Sequence, residues 1–137
     1  FNGDFKEKNM TEIPIGDVTA EEFTTLMKMA YGKNGASVVD DLLTHENVDR
    51  ILELADRFDL KIVEDGVVNT LLSTSSSFSI HERLLIADKH GLTMCKERII
   101  SQYWRNQLIE VTETPEYRQF SMDTKDSLTK RMVVCLK

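Results

Sequence analysis

Cysteine and proline are both scarce in this chain, with two of each among 137 residues. Cys95 and Cys135 lie in apolar helical patterns without C-x-x-C spacing, so the sequence holds no disulfide framework. Isolated cysteines in such patterns are typical of buried, reduced thiols. We therefore expect an intracellular location, cytoplasmic or nuclear.

An excess of positive charge and long apolar runs are also lacking. The formal net charge is −6, which argues against a protein that binds a phosphate backbone. No run approaches the ~18 apolar residues that a membrane span needs, and no signal peptide opens the chain. We expect neither nucleic acid nor membrane as a partner. The first residue is not Met and lies in what looks like the middle of an element, so we also expect a piece of a longer protein.

Motifs for catalysis and metal binding are missing as well. The sequence contains no nucleophile elbow G-x-S-x-G, no H-E-x-x-H zinc motif and no glycine-rich phosphate loop. His45, His81 and His90 share no ligand spacing with the cysteines, and His81 is expected on the surface, at the second position of a helix. We predict a protein that is not an enzyme and has no cofactor and no metal.

The chain does contain a helical hairpin pattern that occurs twice. Residues 48–62 align with residues 80–94, which pairs Leu52 with Leu84 and repeats one Ala-Asp dipeptide. Because a single hairpin cannot bury its apolar stripe, the two hairpins should stack on each other. Two copies are too few for a solenoid, so we predict a duplication inside a small domain. Stacked hairpins of this kind usually present surfaces to other proteins.

The repeat places Asp56 and Asp88 at matched positions, which invites comparison with a catalytic pair of carboxylates. Matched positions in a repeat favour matched structural roles instead. Each aspartate falls at the end of a helix beside a cation, Arg57 or Lys89. We expect both to make local pairs or hydrogen bonds at the helix end.

Local patterns predict one strand and a helix in the first third of the chain. Glu12-Ile13-Pro14-Ile15 is the only convincing strand signal. Thr19-Ala20-Glu21-Glu22 is a capping box, and it precedes an apolar stripe made by residues 23, 26, 27, 30 and 31. The segment 36–46 is compatible with either a strand or a turn of helix.

Further boundaries follow from polar and capping residues. Gly66 lies inside a helix, where glycine costs ~1 kcal/mol relative to alanine, so we expect close packing or local softness there. The polar run 73–77 is the best internal boundary, and Ser79 begins a second capping box. Thr114-Pro115-Glu116 predicts the start of a short helix, and a last helix is expected from about Thr124.

Three aromatic residues have two possible roles each. Tyr103 and Trp104 end the second hairpin, where filling the core is the default and an interface anchor is the alternative. Phe5 lies in a polar segment, two residues before Glu7. Its ring can either tuck into its own domain or anchor a partner, with the carboxylate fixing the register.

Taken in order along the chain, these sequence motifs resemble those of a known family. Phe5-Lys6-Glu7, the strand 13–15, the helix pattern F-x-x-L-M-x-x-A-Y-G at 23–32 and L-x-L-A-D-R-F at 52–58 are similar to the second half of a BTB/POZ domain, of the kind found in MATH–BTB substrate adaptors. The hairpin that follows resembles the 3-box helices of members that bind cullin. The resemblance implies a mostly α chain (α+β for the whole family), with a C-terminal BTB/POZ portion at 1–72 and a 3-box-like hairpin with a helical tail at 73–137.

The resemblance also implies a function. Such adaptors dock a substrate onto cullin-3 in a ubiquitin ligase, and the contact centres on a hydrophobic-x-Glu motif that Phe5, Lys6 and Glu7 match. It further implies a homodimer in the intact protein. The alternative is a BTB scaffold for homo-oligomerisation without ligase work, in which Phe5 packs internally. The family's first strands and dimerisation helix are absent from this sequence, and the loop between Tyr31 and Asn47 is longer than usual.

Overall fold

Helical periodicity in the sequence becomes helix almost throughout the part of the chain that the structure describes. The structure is a computed structural model, and it describes residues 18–31, 39, 42–73 and 77–136. Eight α-helices have both ends within these ranges, which contain no strand: α1 Ala20–Tyr31, α2 Val48–Arg57, α3 Lys61–Leu72, α4 Ile80–Lys89, α5 Thr93–Ser101, α6 Arg105–Val111, α7 Pro115–Gln119 and α8 Met122–Cys135. The predicted, mostly helical fold is confirmed, while the strand predicted at 12–15 lies outside the described residues.

The first helix, α1, starts at the capping box that the sequence predicts. The Thr19 hydroxyl accepts a hydrogen bond from the Glu22 backbone N–H at 3.0 Å, and the Glu22 carboxylate accepts one from the Thr19 N–H at 3.0 Å. Leu26 and Ala30 are buried, but Tyr31 is 78% exposed. Each residue turns the helix by about 100°, so the residue after Ala30 already points away from the core. Tyr31, which the sequence pattern places on the apolar stripe, is therefore not part of the core.

The two hairpins, α2–α3 and α4–α5, turn in the same way. The first helix of each ends in a Schellman motif, in which the N–H of Leu60 bonds the carbonyl of Ala55 at 2.8 Å and the N–H of Leu92 bonds that of Ala87 at 2.9 Å. The residue that closes each turn has a positive φ, 56° at Asp59 and 66° at Gly91. The sequence repeat is thus preserved down to the hydrogen bonds of its turns.

The core forms where α3 meets its neighbours. α3 packs against α1, α2, α4 and α5, and α5 in turn packs against α8. The fully buried side chains include large aliphatic residues from these helices, among them Leu26, Leu54, Leu71, Leu84, Ile99 and Leu128. One continuous core therefore runs through both hairpins, so the second hairpin is not a separate appendage.

Two arginines each bind backbone carbonyls at the end of one hairpin and so link that hairpin to the helix that follows it. The Arg83 guanidinium, from α4, donates from Nη1 to the carbonyl of Leu71 and to the side chain of Gln102, both at 2.9 Å. Gln102 Nε2 then donates to the Leu72 carbonyl at 3.0 Å. These bonds satisfy the last carbonyls of α3, which have no partner within the helix. Arg83 thereby ties the first hairpin to the second.

The second arginine, Arg131 of α8, links α8 to the end of the second hairpin in a similar way. Its Nη2 donates to the carbonyl of Ser101 at 3.0 Å and lies 3.4 Å from that of Tyr103. Tyr103 is the repeat counterpart of Leu71, since the offset that aligns the two hairpins also aligns these two positions. The last helix, α8, therefore caps the second hairpin as α4 caps the first.

Gly66 lies in close contact with Val39, so the expectation of close packing is confirmed. A Cβ built on Gly66 would lie 2.6 Å from Val39 Cγ2 and 3.1 Å from Val39 Cβ. Val39 is 1% exposed, so its side chain has little space into which it can move. Only glycine allows this approach between α3 and the segment around Val39.

Gly66→Ala is expected to lower the free energy of unfolding by about 1–2 kcal/mol, because overpacking costs more than the gain in helix propensity returns. Chemical denaturation of the wild type and the variant measures this. The matched control is the same substitution in a Val39→Ala background, where the clash is relieved. An equal cost in both backgrounds would show that Val39 is not the cause.

Candidate docking groove between the two hairpins

A groove lies between the stacked hairpins and is lined by residues from α2, α3, α4 and the α4–α5 turn. It encloses about 680 Å³, and its lining is Glu46, Asp49, Arg50, Leu52, Glu53, Asp56, Glu64, Lys89, His90 and Leu92. A second depression of about 220 Å³ shares Glu64 and Leu92 with it. The two form one continuous surface, which we call the inter-hairpin groove.

Ion pairs that join the two hairpins cross this groove. The Asp49 carboxylate, on α2, lies 3.0 Å from Lys89 Nζ and 2.8 Å from His90 Nε2. Burial alone would raise the pKa of Asp49, but hydrogen bonds from His90 and Lys89 outweigh it and hold the pKa below its usual value. Lys89, which the sequence places beside Asp88 as a possible local partner, pairs in the structure with Asp49.

A second group of charged side chains, centred on Arg50 and Glu53 of α2, forms a chain of contacts. Arg50 Nε lies 3.0 Å from the Glu22 carboxylate on α1, and Arg50 Nη1 lies 3.2 Å from Glu53. Glu53 also lies 3.6 Å from Arg57. The hydrogen bond from Arg50 is the main reason that the pKa of Glu22 lies below its usual value. The charged side chains of α2 thus form an ordered network.

The second depression is the less polar half of the groove. It is lined by Val68, Leu92, Met94 and Cys95 together with polar residues of α3 and α5. Met94 is 76% exposed, and its repeat counterpart Ile62 is 57% exposed. Met94 thus leaves a large apolar side chain in solvent at the edge of this depression, and Ile62 is exposed at the matched position of the first hairpin.

The cullin-binding residues proposed from the sequence, Phe5, Lys6 and Glu7, lie outside the described residues. The structure therefore does not test this prediction. A repeat along the sequence predicts that the hairpins stack, but it does not show which side chains meet between them.

His81 is buried, so its predicted place on the surface is wrong. It is 7% exposed, and its Nδ1 lies 2.9 Å from the Tyr103 hydroxyl while its Nε2 lies 3.7 Å from the Glu110 carboxylate. The physical reason is that Tyr103, which follows α5, and Glu110 of α6 lie against the His81 ring at the start of α4. A residue near the beginning of a helix is exposed only when no other element covers it.

Asp56 and Asp88 do not share a role, although their positions match. Asp56 is exposed on the groove. The Asp88 carboxylate instead accepts hydrogen bonds from the Ser121 N–H at 2.7 Å, the Ser121 hydroxyl at 2.8 Å and the Thr124 hydroxyl at 2.7 Å, and it lies 3.4 Å from Lys96 Nζ. The prediction of local pairing at Asp88 is wrong, because α8 supplies partners that have no counterpart in the first hairpin.

The aromatic pair at the end of the second hairpin divides between core and surface. Tyr103 is 1% exposed, and burial raises the pKa of its phenol well above the usual value. Trp104, the next residue, is 77% exposed. Core filling is confirmed for Tyr103 and wrong for Trp104.

The two cysteines also differ in exposure. Cys95 is buried, and burial raises the pKa of its thiol to about 11, whereas Cys135 is half-buried.

The described residues include neither a cluster of metal-ligand side chains nor a membrane-spanning helix. No three side chains of His, Cys, Asp or Glu in this part of the chain are grouped so that they could hold a metal ion. None of the described helices is both long and apolar enough to cross a membrane.

Comparison with known families now adds to this geometry. The family model of the BTB/POZ domain matches residues 1–76, more than half of the chain. The chain belongs to the BTB/POZ family. Helices α1 to α3 lie within the BTB/POZ match, and α4 to α8 lie beyond it. The groove is formed where the BTB/POZ helices meet the hairpin that follows.

Similar proteins include two whose names combine BTB with MATH and one that is named Kelch-like. The chain is 26% identical over 136 residues to BTB and MATH domain-containing protein 38 of Caenorhabditis elegans, covering 97% of this chain and 33% of that protein. It is 28% identical over 130 residues to human Kelch-like protein 6, covering 95% and 20%. It is 25% identical over 138 residues to BTB and MATH domain-containing protein 36 of C. elegans, covering 100% and 41%. The chain thus spans between a fifth and about two fifths of these relatives, and no solved structure matches it.

Proposed function

We propose that this BTB/POZ chain is a protein-interaction module, without enzymatic activity, that docks a substrate adaptor onto cullin-3 in a ubiquitin ligase. The chemistry of ubiquitin transfer then belongs to other subunits. Within the proposal, residues 1–72 are the C-terminal portion of the BTB/POZ domain, and residues 73–137 are the 3-box-like hairpin with its tail. The intact protein is a homodimer and acts inside the cell.

The observation that carries the proposal is the inter-hairpin groove. Ion pairs between Asp49 and both Lys89 and His90 join its walls, and Met94, which lines it, exposes apolar surface. Pre-organised side chains cost little further entropy when a partner binds. The groove occupies the face where the second hairpin adds to the BTB/POZ helices, which the family resemblance assigns to cullin. The Phe5-Lys6-Glu7 motif supplies the other half of the proposed contact.

Phe5→Ala and Glu7→Ala in the intact protein are each expected to weaken binding to the N-terminal region of cullin-3. An aromatic anchor in a partner's cleft contributes upwards of ~2 kcal/mol, so the loss for Phe5→Ala is at least about 30-fold in Kd. Glu7 contributes through partner donors that would lose their acceptor. Isothermal titration calorimetry on matched preparations measures both values.

The matched control is Lys8→Ala, which removes a charged side chain next to the Phe5-Lys6-Glu7 motif but outside it. This variant should keep the wild-type Kd within about twofold, as neutral interface positions do. If all three variants bind cullin-3 like the wild type, the adaptor role fails, and the alternative of a BTB scaffold for homo-oligomerisation takes its place.

A further inference from the structure

We draw no further inference here: the strongest candidate, the apolar surface patch where the start of α6 meets the end of α8 and leaves Trp104, Val133 and Val134 exposed, carries none because nothing in the structure shows what covers it.

Discussion

Asp88→Ala is expected to lower the free energy of unfolding by about 3 kcal/mol, whereas Asp56→Ala at the matched repeat position should change it by less than about 0.5 kcal/mol. The Asp88 side chain is 5% exposed and accepts three hydrogen bonds from the start of α8. Removing it leaves the Thr124 hydroxyl, which is fully buried, and the Lys96 ammonium, which is 12% exposed, without that acceptor. Unpaired buried polar groups are costly.

The pH dependence of stability gives a second signature of Asp88. Burial alone would raise the pKa of Asp88, but the hydrogen bonds from Ser121 and Thr124 outweigh it, so the pKa lies below its usual value. A carboxyl with a depressed pKa in the folded state stabilises the protein above its unfolded pKa of about 3.9, and that stability is lost as the pH falls through the folded pKa. The advantage of the wild type over Asp88→Asn should therefore shrink as the pH is lowered below about 4.

Urea denaturation of the wild type, Asp88→Ala and Asp56→Ala at neutral pH measures the difference directly. The two substitutions are chemically identical and occupy the same position in the two hairpins. Equal losses of stability in both variants would mean that the contact between Asp88 and the start of α8 does not hold the last helix in place.

Arg83→Ala is expected to lower the free energy of unfolding by about 3 kcal/mol, because breaking a buried charged network leaves its partners uncompensated. Arg83 is 5% exposed and joins the Leu71 carbonyl to Gln102. Its Nε–H has no hydrogen-bond partner among the described residues, and burial lowers the pKa of its guanidinium. The native state thus bears part of the cost of desolvating this charge.

That cost distinguishes two variants of Arg83. Arg83→Met removes the buried charge and fills the space, so it should cost about 1–2 kcal/mol less than Arg83→Ala. Thermal and denaturant unfolding measure both, with Arg98→Ala on the exposed side of α5 as the control for losing an arginine. If Arg83→Ala loses no more unfolding free energy than Arg98→Ala, the hydrogen bonds of Arg83 do not hold α3 and the second hairpin together.

The periodic parts of the sequence predicted most of the fold. The repeat at 48–62 and 80–94 contains enough information to place both hairpins, because they depend on spacing along one helix or between two adjacent ones. Close packing at Gly66 was predicted from the cost of glycine inside a helix, but its partner Val39 was not. The capping boxes at Thr19 and Ser79 were predicted for the same reason, since each is local to a single helix start.

The wrong predictions concern residues whose environment depends on parts of the chain that are distant in sequence. His81 follows a capping serine as a surface residue would, yet α6 and Tyr103 enclose it. Asp88 repeats Asp56 in sequence, but Ser121, which lies far along the chain at the start of α8, determines its role. Trp104 was expected in the core beside Tyr103, although an N-cap residue such as Trp104 points out of the helix that it starts.

The candidate site was less predictable than the fold, because it is defined by contacts between elements. The groove brings Asp49 of α2 to His90 of the α4–α5 turn, which belongs to the other hairpin. A single sequence gives no register for such a pair. Resemblance supplied the Phe5-Lys6-Glu7 motif, and the structure supplied the neighbouring surface on which the docking proposal depends.

Amide hydrogen exchange of the intact protein, with and without the N-terminal region of cullin-3, tests the central proposal most directly. We expect cullin-3 to slow exchange in the α2–α3 turn and the first turn of α3 (57–64) and in the α4–α5 turn and the start of α5 (89–96), with no change at the end of α8 (131–135). Unchanged exchange at both turns, or slowing confined to α8 and the surface around Trp104, would contradict a docking surface between the hairpins.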